Sequence, residues 1–248
     1  MKALLLAGGT GSRLHPLTLG VNKHLLPVGK QPMIGHALSF LSRVGIHSVA
    51  IVTTPEDLSG YGRLITADAR PYNDFDGIYL TVQHQPQGIA DAIHYGEAFV
   101  GSEEPILVML ADNLYSIYDE RRIADTIRQF DRRHNKGCHV WTTKTDTPET
   151  VGVLVVDDGK YECIEKPKEF VSDLAITGLY LFDHTIWDKL SYLEPSNRGE
   201  YEITDLLNAY VDEETFSFSK LEGNWLDLGQ SLDQFLDYTC KVIQCPTS

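Results

Sequence analysis

The sequence predicts an α/β protein, a three-layer structure on a mostly parallel twisted sheet with a β region added after about residue 145. Three observations carry this. Short apolar runs of strand length alternate with helical stripes over the first 145 residues, the pattern of a parallel sheet with helices on both faces. A glycine-rich turn, Ala7-Gly8-Gly9-Thr10-Gly11-Ser12-Arg13-Leu14, leaves the first run directly. Beyond residue 145 closely spaced strands and tight turns replace the alternation.

Residues 1–6, apolar from Ala3 to Leu6, have the length of a buried strand, so Met1 is expected to begin a strand and not a signal peptide. Met33, Ile34, Ala37, Leu38, Leu41 and Val44 recur at helical spacing, and Gly45 is a natural stop. Residues 48–53 read as the second strand and 79–83 as the third. Ile89, Ala92, Ile93, Gly96 and Phe99 give one helix stripe. Residues 106–110 form a strongly apolar strand ending at Ala111-Asp112-Asn113. Ile123, Ile127 and Phe130 mark the next helix, and 139–143 the next strand. Strands at 151–156, 161–164 and 174–182 follow, the first pair joined by the Asp157-Asp158-Gly159 turn. A helix around 201–211 and a terminal one with Leu232, Phe235, Leu236 and Ile243 on a face complete the inventory. No linker or repeat divides the chain, so residues 1–248 are expected to form one domain, with ligands across the carboxyl ends of the strands.

A chain of 248 residues can bury roughly 70% of its unfolded surface and needs no staples. Cys138, Cys163, Cys240 and Cys245 show no C-x-x-C spacing, which favours neither zinc nor disulfides. No apolar run approaches membrane-spanning length, and a cytoplasmic location is expected. A net charge of −14 argues against a nucleic-acid partner. Most of the 35 acids read as solvated surface. Anionic substrates would then need locally placed Arg and Lys, and acids that hold a divalent cation.

In the first turn, glycines leave backbone N–H groups free to close on an anion, and Arg13 adds a planar, always-charged fork. Lys23, in Asn22-Lys23-His24-Leu25-Leu26-Pro27-Val28, adds a compact point charge on what reads as a solvent-facing loop. Alone, the glycines would serve equally as a tight turn. Leu14 stands where a dinucleotide fingerprint needs its third glycine, and no Gly-Lys-Ser/Thr makes a P-loop. The combination suggests a triphosphate site. Asp112 ends an apolar strand, where it could meet a ligand or cap the next turn. Asp227 lies in a similar apolar setting, Trp225-Leu226-Asp227-Leu228-Gly229.

Taken together, G-G-x-G-[ST]-R-L, then P-L-T, N-K-x-L-L-P-V and Lys30-Gln31-Pro32-Met33-Ile34 closely resemble the sugar-1-phosphate nucleotidylyltransferases, with matching stretches to about residue 230. The likeness is greatest to short-form members that use dTTP and glucose 1-phosphate. It implies a Rossmann-like nucleotidyltransferase fold with a nucleotide half (about 1–145) and a sugar half (about 146–248). It implies Arg13 and Lys23 as catalytic residues. Leu6, Gly8, Gly9, Thr10, Gly11, Gln83, Gly88 and Asp112 would bind nucleotide, with Gln83 pairing with a pyrimidine edge and Gly88 letting the backbone come close. Gly152, Glu165, Lys166 and Thr177 would bind the sugar phosphate, and Asp112 and Asp227 would hold Mg2+.

Arg198-Gly199-Glu200-Tyr201-Glu202-Ile203-Thr204-Asp205 also matches, with an architectural role at a helix start. Four positions depart from the family pattern: Leu228 for Thr, Val151 for Tyr, His24 for Gln, and Ser116-Ile117-Tyr118 for a glycine. The last two are expected near the triphosphate. The implied reaction gives dTDP-glucose and pyrophosphate. A UTP-using enzyme, one for another hexose 1-phosphate, and a catalytically silent sugar-nucleotide-binding regulator are the alternatives, and a homo-oligomer is compatible with each. With 21 residues after Asp227, dTDP-sugars are expected to inhibit only at the active site.

Overall fold

The computed structural model describes residues 1–66, 71–132 and 136–244. β1 (Lys2–Leu6) runs through the glycine loop into two 3₁₀ turns, Ser12–Leu14 and Lys23–Leu25. A small hairpin, β2 (Pro27–Val28) with β3 (Gln31–Pro32), delivers the chain to α1 (Met33–Arg43). There follow β4 (Ser48–Thr53), α2 (Leu58–Ile65), β5 (Gly77–Val82), α3 (Ile89–His94) and α4 (Glu97–Val100). β6 (Ile106–Leu110), β7 (Asn113–Tyr115), α5 (Ile117–Arg132) and β8 (Cys138–Lys144) come next. The remainder runs β9 (Gly152–Asp157), β10 (Lys160–Glu165), β11 (Leu174–Phe182), α6 (Ile186–Tyr192) and α7 (Ile203–Asp212). It ends with β12 (Phe216–Lys220), β13 (Trp225–Asp227) and α8 (Leu232–Gln244).

Among the described residues β5, β4, β1 and β6 lie side by side and parallel. Central β1 is flanked by strands on both edges, which explains its unbroken apolar run. The sheet then becomes mixed. β11 joins β6 antiparallel, β8 joins β11 antiparallel, and β12 closes that edge parallel to β8. The β9–β10 hairpin attaches to β11 through Ala175 and Val153. Parallel order thus holds for the core strands and gives way in the added β region.

Alternate residues of the core strands feed two cores. Leu5, Ile51 and Met109 pack against α1 (Ile34, Leu38, Leu41) and α5 (Ile123, Ile127). Leu4, Val52 and Val108 pack against α3 (Ala92, Ile93) and α7 (Leu206, Leu207, Tyr210) on the other face. Helices on both faces make three layers.

The single stripe expected over 89–99 breaks into α3 and α4 at Tyr95-Gly96. A side chain at Gly96 would collide with Leu4 of β1, so the glycine that lets the helices approach the sheet also interrupts them. Phe235 of α8 packs with Leu14, Leu26, Val28, Met33 and Leu228, clamping the turn that carries Arg13. The side chain of Ile243, and Cys245, lie outside the described residues. Cys138, Cys163 and Cys240 are free thiols. Among the described residues no helix is long and apolar enough to cross a membrane.

Candidate active site

Beyond the carboxyl ends of β1 and β6 the chain turns through two loops that meet. Gly9 and Gly11 adopt φ of +93° and +62°, a region L side chains rarely enter. A Cβ on Gly11 would stand 3.0 Å from Thr18 Cγ2 and 3.2 Å from Lys23 Cβ, so the loop folds back onto the segment bearing Lys23. Asn22 ties that segment down, its Nδ2 donating to the Asp57 carboxylate (2.7 Å) and to the Ala7 carbonyl (3.3 Å).

Asp227 reaches the same point through local pairing. β13 runs antiparallel to β7 with Asp227 opposite Asn113, and the Leu228 N–H donates to the Asp112 carbonyl (2.9 Å). Lys23 Nζ forms an ion pair with Asp112 Oδ2. A Cβ on Gly229 would fall 2.5 Å from Asp112 Oδ2, 2.9 Å from Lys23 Nζ and 3.2 Å from Asp227 Oδ1. Two acids and an ammonium therefore converge, and a side chain at position 229 would have to push them apart. The Lys23 side chain is only 17% exposed, so it is not the solvent-facing loop residue the sequence suggested.

Burial works against every charge here. Burial and the neighbouring Asp112 charge hold the Asp227 carboxyl well above the usual carboxylate range. Burial alone would raise Asp112, but the charges of Lys23 and His24 and the hydrogen bonds from Lys23 and Asn113 together hold it well below that range. Burial also opposes the charge on Lys23, but the Asp112 charge and hydrogen bond, with the Asp227 charge, together keep the ammonium charged. Two carboxylates sharing one ammonium leave charge to compensate, and carboxylate oxygens are the donors a hard cation takes. Among the described residues no group of three or more His, Cys, Asp or Glu is arranged to hold a metal ion. A cation at these two carboxylates would keep open positions for phosphate oxygens and water.

Asn113, which sequence reasoning left without a role, joins the parts. Its Nδ2 donates to Asp112 (3.0 Å), and its Oδ1 accepts from Gly178 N (3.0 Å) and Trp225 Nε1 (2.7 Å).

Two clefts open from this junction. Leu6, Gly8, Gly9, Lys23, Gln83, Gly88 and Asp112 line the first, with His24. Arg13, Gly152, Glu165, Lys166 and Asp227 line the second, with Asn113, Gly178 and Trp225. Ile89, Leu110, Glu165 and Lys166 border both, so the clefts are continuous. Arg13 has no hydrogen-bond or ion-pair partner among the described residues. Lys166 takes φ of +43°, an uncommon conformation for a residue with a side chain, and its Nζ lies 3.2 Å from Glu165.

Several expected positions fall elsewhere. Thr10 is exposed and Gly11 packs on Thr18 and Lys23, so neither lines a cleft. Thr177 is fully buried with its hydroxyl donating to the Trp141 carbonyl (2.9 Å), and its neighbours Ile176 and Gly178 line the second cleft in its place. Ser116-Ile117-Tyr118 also lines neither cleft: Ser116 N donates to Asn224 O (3.0 Å), and Tyr118 is 83% exposed. Gly88 borders the first cleft at φ +107°, but its close approach is to protein, since a Cβ would stand 2.5 Å from Tyr201 O. Arg198 was expected to be architectural. Its guanidinium lies 3.6 Å from both Glu165 and Glu202 and 2.8 Å from Glu200, three acids that border the first cleft.

His24 is fixed by Asn22. Because Asn22 Nδ2 faces Asp57, its Oδ1 accepts from the His24 backbone N–H (2.9 Å), from His24 Nδ1 (2.8 Å) and from the Tyr61 hydroxyl (3.0 Å). Nδ1 therefore carries the proton. Burial, with the Lys23 charge alongside, pushes the His24 pKa down to about 3. The unfolded chain then binds more protons than the native one below about pH 6.5, so stability falls as pH drops toward 3. His24→Gln should flatten that acid limb: between about pH 7 and pH 4 its melting temperature should fall less than the wild type's. Equal falls would mean that His24 is not buried in its neutral form.

A glycine loop and paired acids at a sheet's carboxyl edge define a nucleotide-handling α/β protein. Residues 2–244 match the nucleotidyl transferase family, and the chain belongs to it. A glucose-1-phosphate thymidylyltransferase of Neisseria meningitidis is 37% identical over 234 residues, covering 92% of this chain and 78% of that protein. Another, from Xanthomonas campestris, is 38% identical over 243 residues, covering 96% and 80%. A Bacillus anthracis protein assigned as a glucose-1-phosphate thymidylyltransferase, crystallised with sucrose, superposes with a TM-score of 0.87 at 34% identity, covering 100% of this chain and 97% of that one. A UDP-glucose pyrophosphorylase complexed with UDP-glucose shares the fold, with a TM-score of 0.85 at 24% identity, covering 98% of each chain.

Proposed function

We propose that this chain transfers a thymidylyl group from dTTP to glucose 1-phosphate, giving dTDP-glucose and pyrophosphate. The observation that carries this reading is the convergence of Lys23, Asp112 and Asp227 where the two clefts join. The first cleft takes the nucleotide and the second the sugar phosphate; Arg13 reaches the second from the N-terminal part, and Glu165 and Lys166 border both. Glucose 1-phosphate is already anionic at neutral pH, so no general base is required, and positioning and charge stabilisation carry the reaction. Lys23 sits between attacking and α-phosphates. Arg13, which has no hydrogen-bond or ion-pair partner among the described residues, steadies the departing pyrophosphate. Lys166 orients the incoming phosphate while Glu165 accepts from a sugar hydroxyl. Asp112 and Asp227 would hold Mg2+, which would supply neutralisation of phosphate charge. A direct displacement inverts configuration at the α-phosphorus.

The test is pyrophosphate release from dTTP with a panel of hexose 1-phosphates and with UTP as the competing nucleotide. Release with dTTP and glucose 1-phosphate is expected. A thymine methyl contributes about 0.8 kcal/mol, so the preference over UTP should be about tenfold or less. Sugar-nucleotide binding without turnover would establish the silent regulator instead.

Gln83→Glu should cut kcat/KM for dTTP and UTP by roughly 10–10²-fold, because a carboxylate there has no hydrogen for the Gly88 carbonyl or Asp91 and is left unmatched. Gln83 Nε2 donates to Asp91 Oδ2 (2.7 Å), so the variant would also set two carboxylates in contact. The KM for pyrophosphate in the reverse direction should barely move. Equal losses with purine nucleotides would place Gln83 away from the base.

A further inference from the structure

Gln83 follows β5, is 3% exposed, and has its backbone N–H on Thr53 O (2.8 Å). Its terminal amide could present either an oxygen or an NH₂ to the cleft, and the two faces read opposite base edges. Both amide hydrogens are taken. Nε2 donates to Asp91 Oδ2 at 2.7 Å and to the Gly88 carbonyl at 3.3 Å. Neither partner has a hydrogen to give, so a reversed amide would face two oxygens with its own. Oε1 points toward the glycine loop, where a Cβ on Gly8 would stand 3.3 Å away, and the missing side chain keeps it open. Asp91 itself is outside the first cleft and borders a separate pocket with His94, Ser191 and Tyr201, so it reaches the cleft only through Gln83.

We propose that Asp91 is a positioning residue that locks the Gln83 amide so that its oxygen faces the nucleobase, selecting bases with a ring N–H at position 3. Thymine and uracil carry that hydrogen, and cytosine has a lone pair there. The inference rests on reading the first cleft as a pyrimidine-nucleotide site. It also fixes how Gln83 meets that edge: its oxygen takes the N3 hydrogen, whereas its NH₂ is unavailable to O4.

Asp91→Asn keeps the shape but can donate or accept, which frees Gln83 to reverse. The readout is kcat/KM for dTTP and for dCTP with glucose 1-phosphate, alongside the melting temperature. The dTTP-to-dCTP ratio should fall at least tenfold in the variant, mainly through KM, with melting close to wild type. A merely structural role would lower both nucleotides together, and an unchanged ratio overturns the proposal. In the wild type, 4-thio-dTTP, which weakens the acceptor at position 4 and keeps the N3 hydrogen, should react within about threefold of dTTP, because a single hydrogen bond's loss would cost more. A tenfold loss with 4-thio-dTTP would mean that Gln83 offers its NH₂, and would also overturn it. A wild type inactive with dTTP would fail the functional reading and take the inference with it, whereas an active wild type with an unmoved ratio fails the inference alone.

Discussion

Replacing Lys23 by alanine is expected to lower kcat by roughly 10²–10³-fold, the scale for removing one charge-stabilising donor from a preorganised site. The ammonium is held in place by Asp112 and by the Asn22 anchor one residue earlier, so little reorganisation is needed when phosphates arrive. The same pairing makes the substitution costly to the fold. Asp112 is 7% exposed, and breaking a buried ion pair from one side typically costs about 3–5 kcal/mol. Part of that is relieved because Asp112, freed from Lys23, can take up a proton. The metal-free variant should therefore melt below wild type, and added Mg2+ should restore some of the difference. Steady-state kcat and melting curves with and without Mg2+ check both expectations. Turnover near that of the wild type would make Lys23 a bystander.

Asp112→Asn should lower activity at limiting Mg2+ by about 10²-fold or more and shift the metal titration to higher concentration, since Asn keeps the shape but not the charge that favours a hard cation. The pH dependence follows from Asp227. Its carboxyl is held above the usual range, so the native protein binds more protons than the unfolded chain just above that range. That contribution to stability is present at low pH and is lost as pH rises through the raised pKa. A cation must displace the same proton, so apparent Mg2+ affinity should climb with pH across this window and then level off. Removing the Asp112 charge relieves Asp227, and the climb should move to lower pH in the variant. Metal titrations of both proteins at several pH values read this directly. Activity that needs no divalent cation would end the paired-carboxylate account.

Most of the fold was legible because core strands buried on both faces read as unbroken apolar runs. Leu174–Phe182 coincides with its expected bounds, and Ile106–Leu110 does too. What escaped was short or polar. β12, Phe-Ser-Phe-Ser-Lys, is an edge strand with too few apolar residues to stand out, and β13 and β7 have three residues each. That small ladder brings Asp227 to Asp112, so the local pattern could mark the two acids separately while only resemblance paired them. Asn113 and Asp91 were invisible as functional residues because their partners, Trp225, Gly178 and Gln83, are set by tertiary approach. Thr177 shows the converse: a motif position suggested a ligand contact, but the bulged pairing of β11 with β8 accompanies a hydroxyl turned onto Trp141.

The central claim is a direct displacement between dTTP and a sugar phosphate on this chain, and isotope exchange tests it most directly. Labelled pyrophosphate would be incubated with the protein, Mg2+ and dTTP, with and without glucose 1-phosphate, and label in dTTP measured. In a direct displacement pyrophosphate re-enters dTTP only by attacking dTDP-glucose, so label should appear with the sugar phosphate and be absent without it. Exchange without the sugar phosphate would reveal a nucleotidyl-enzyme intermediate, and no exchange under either condition would mean that the chain does not carry out the transfer.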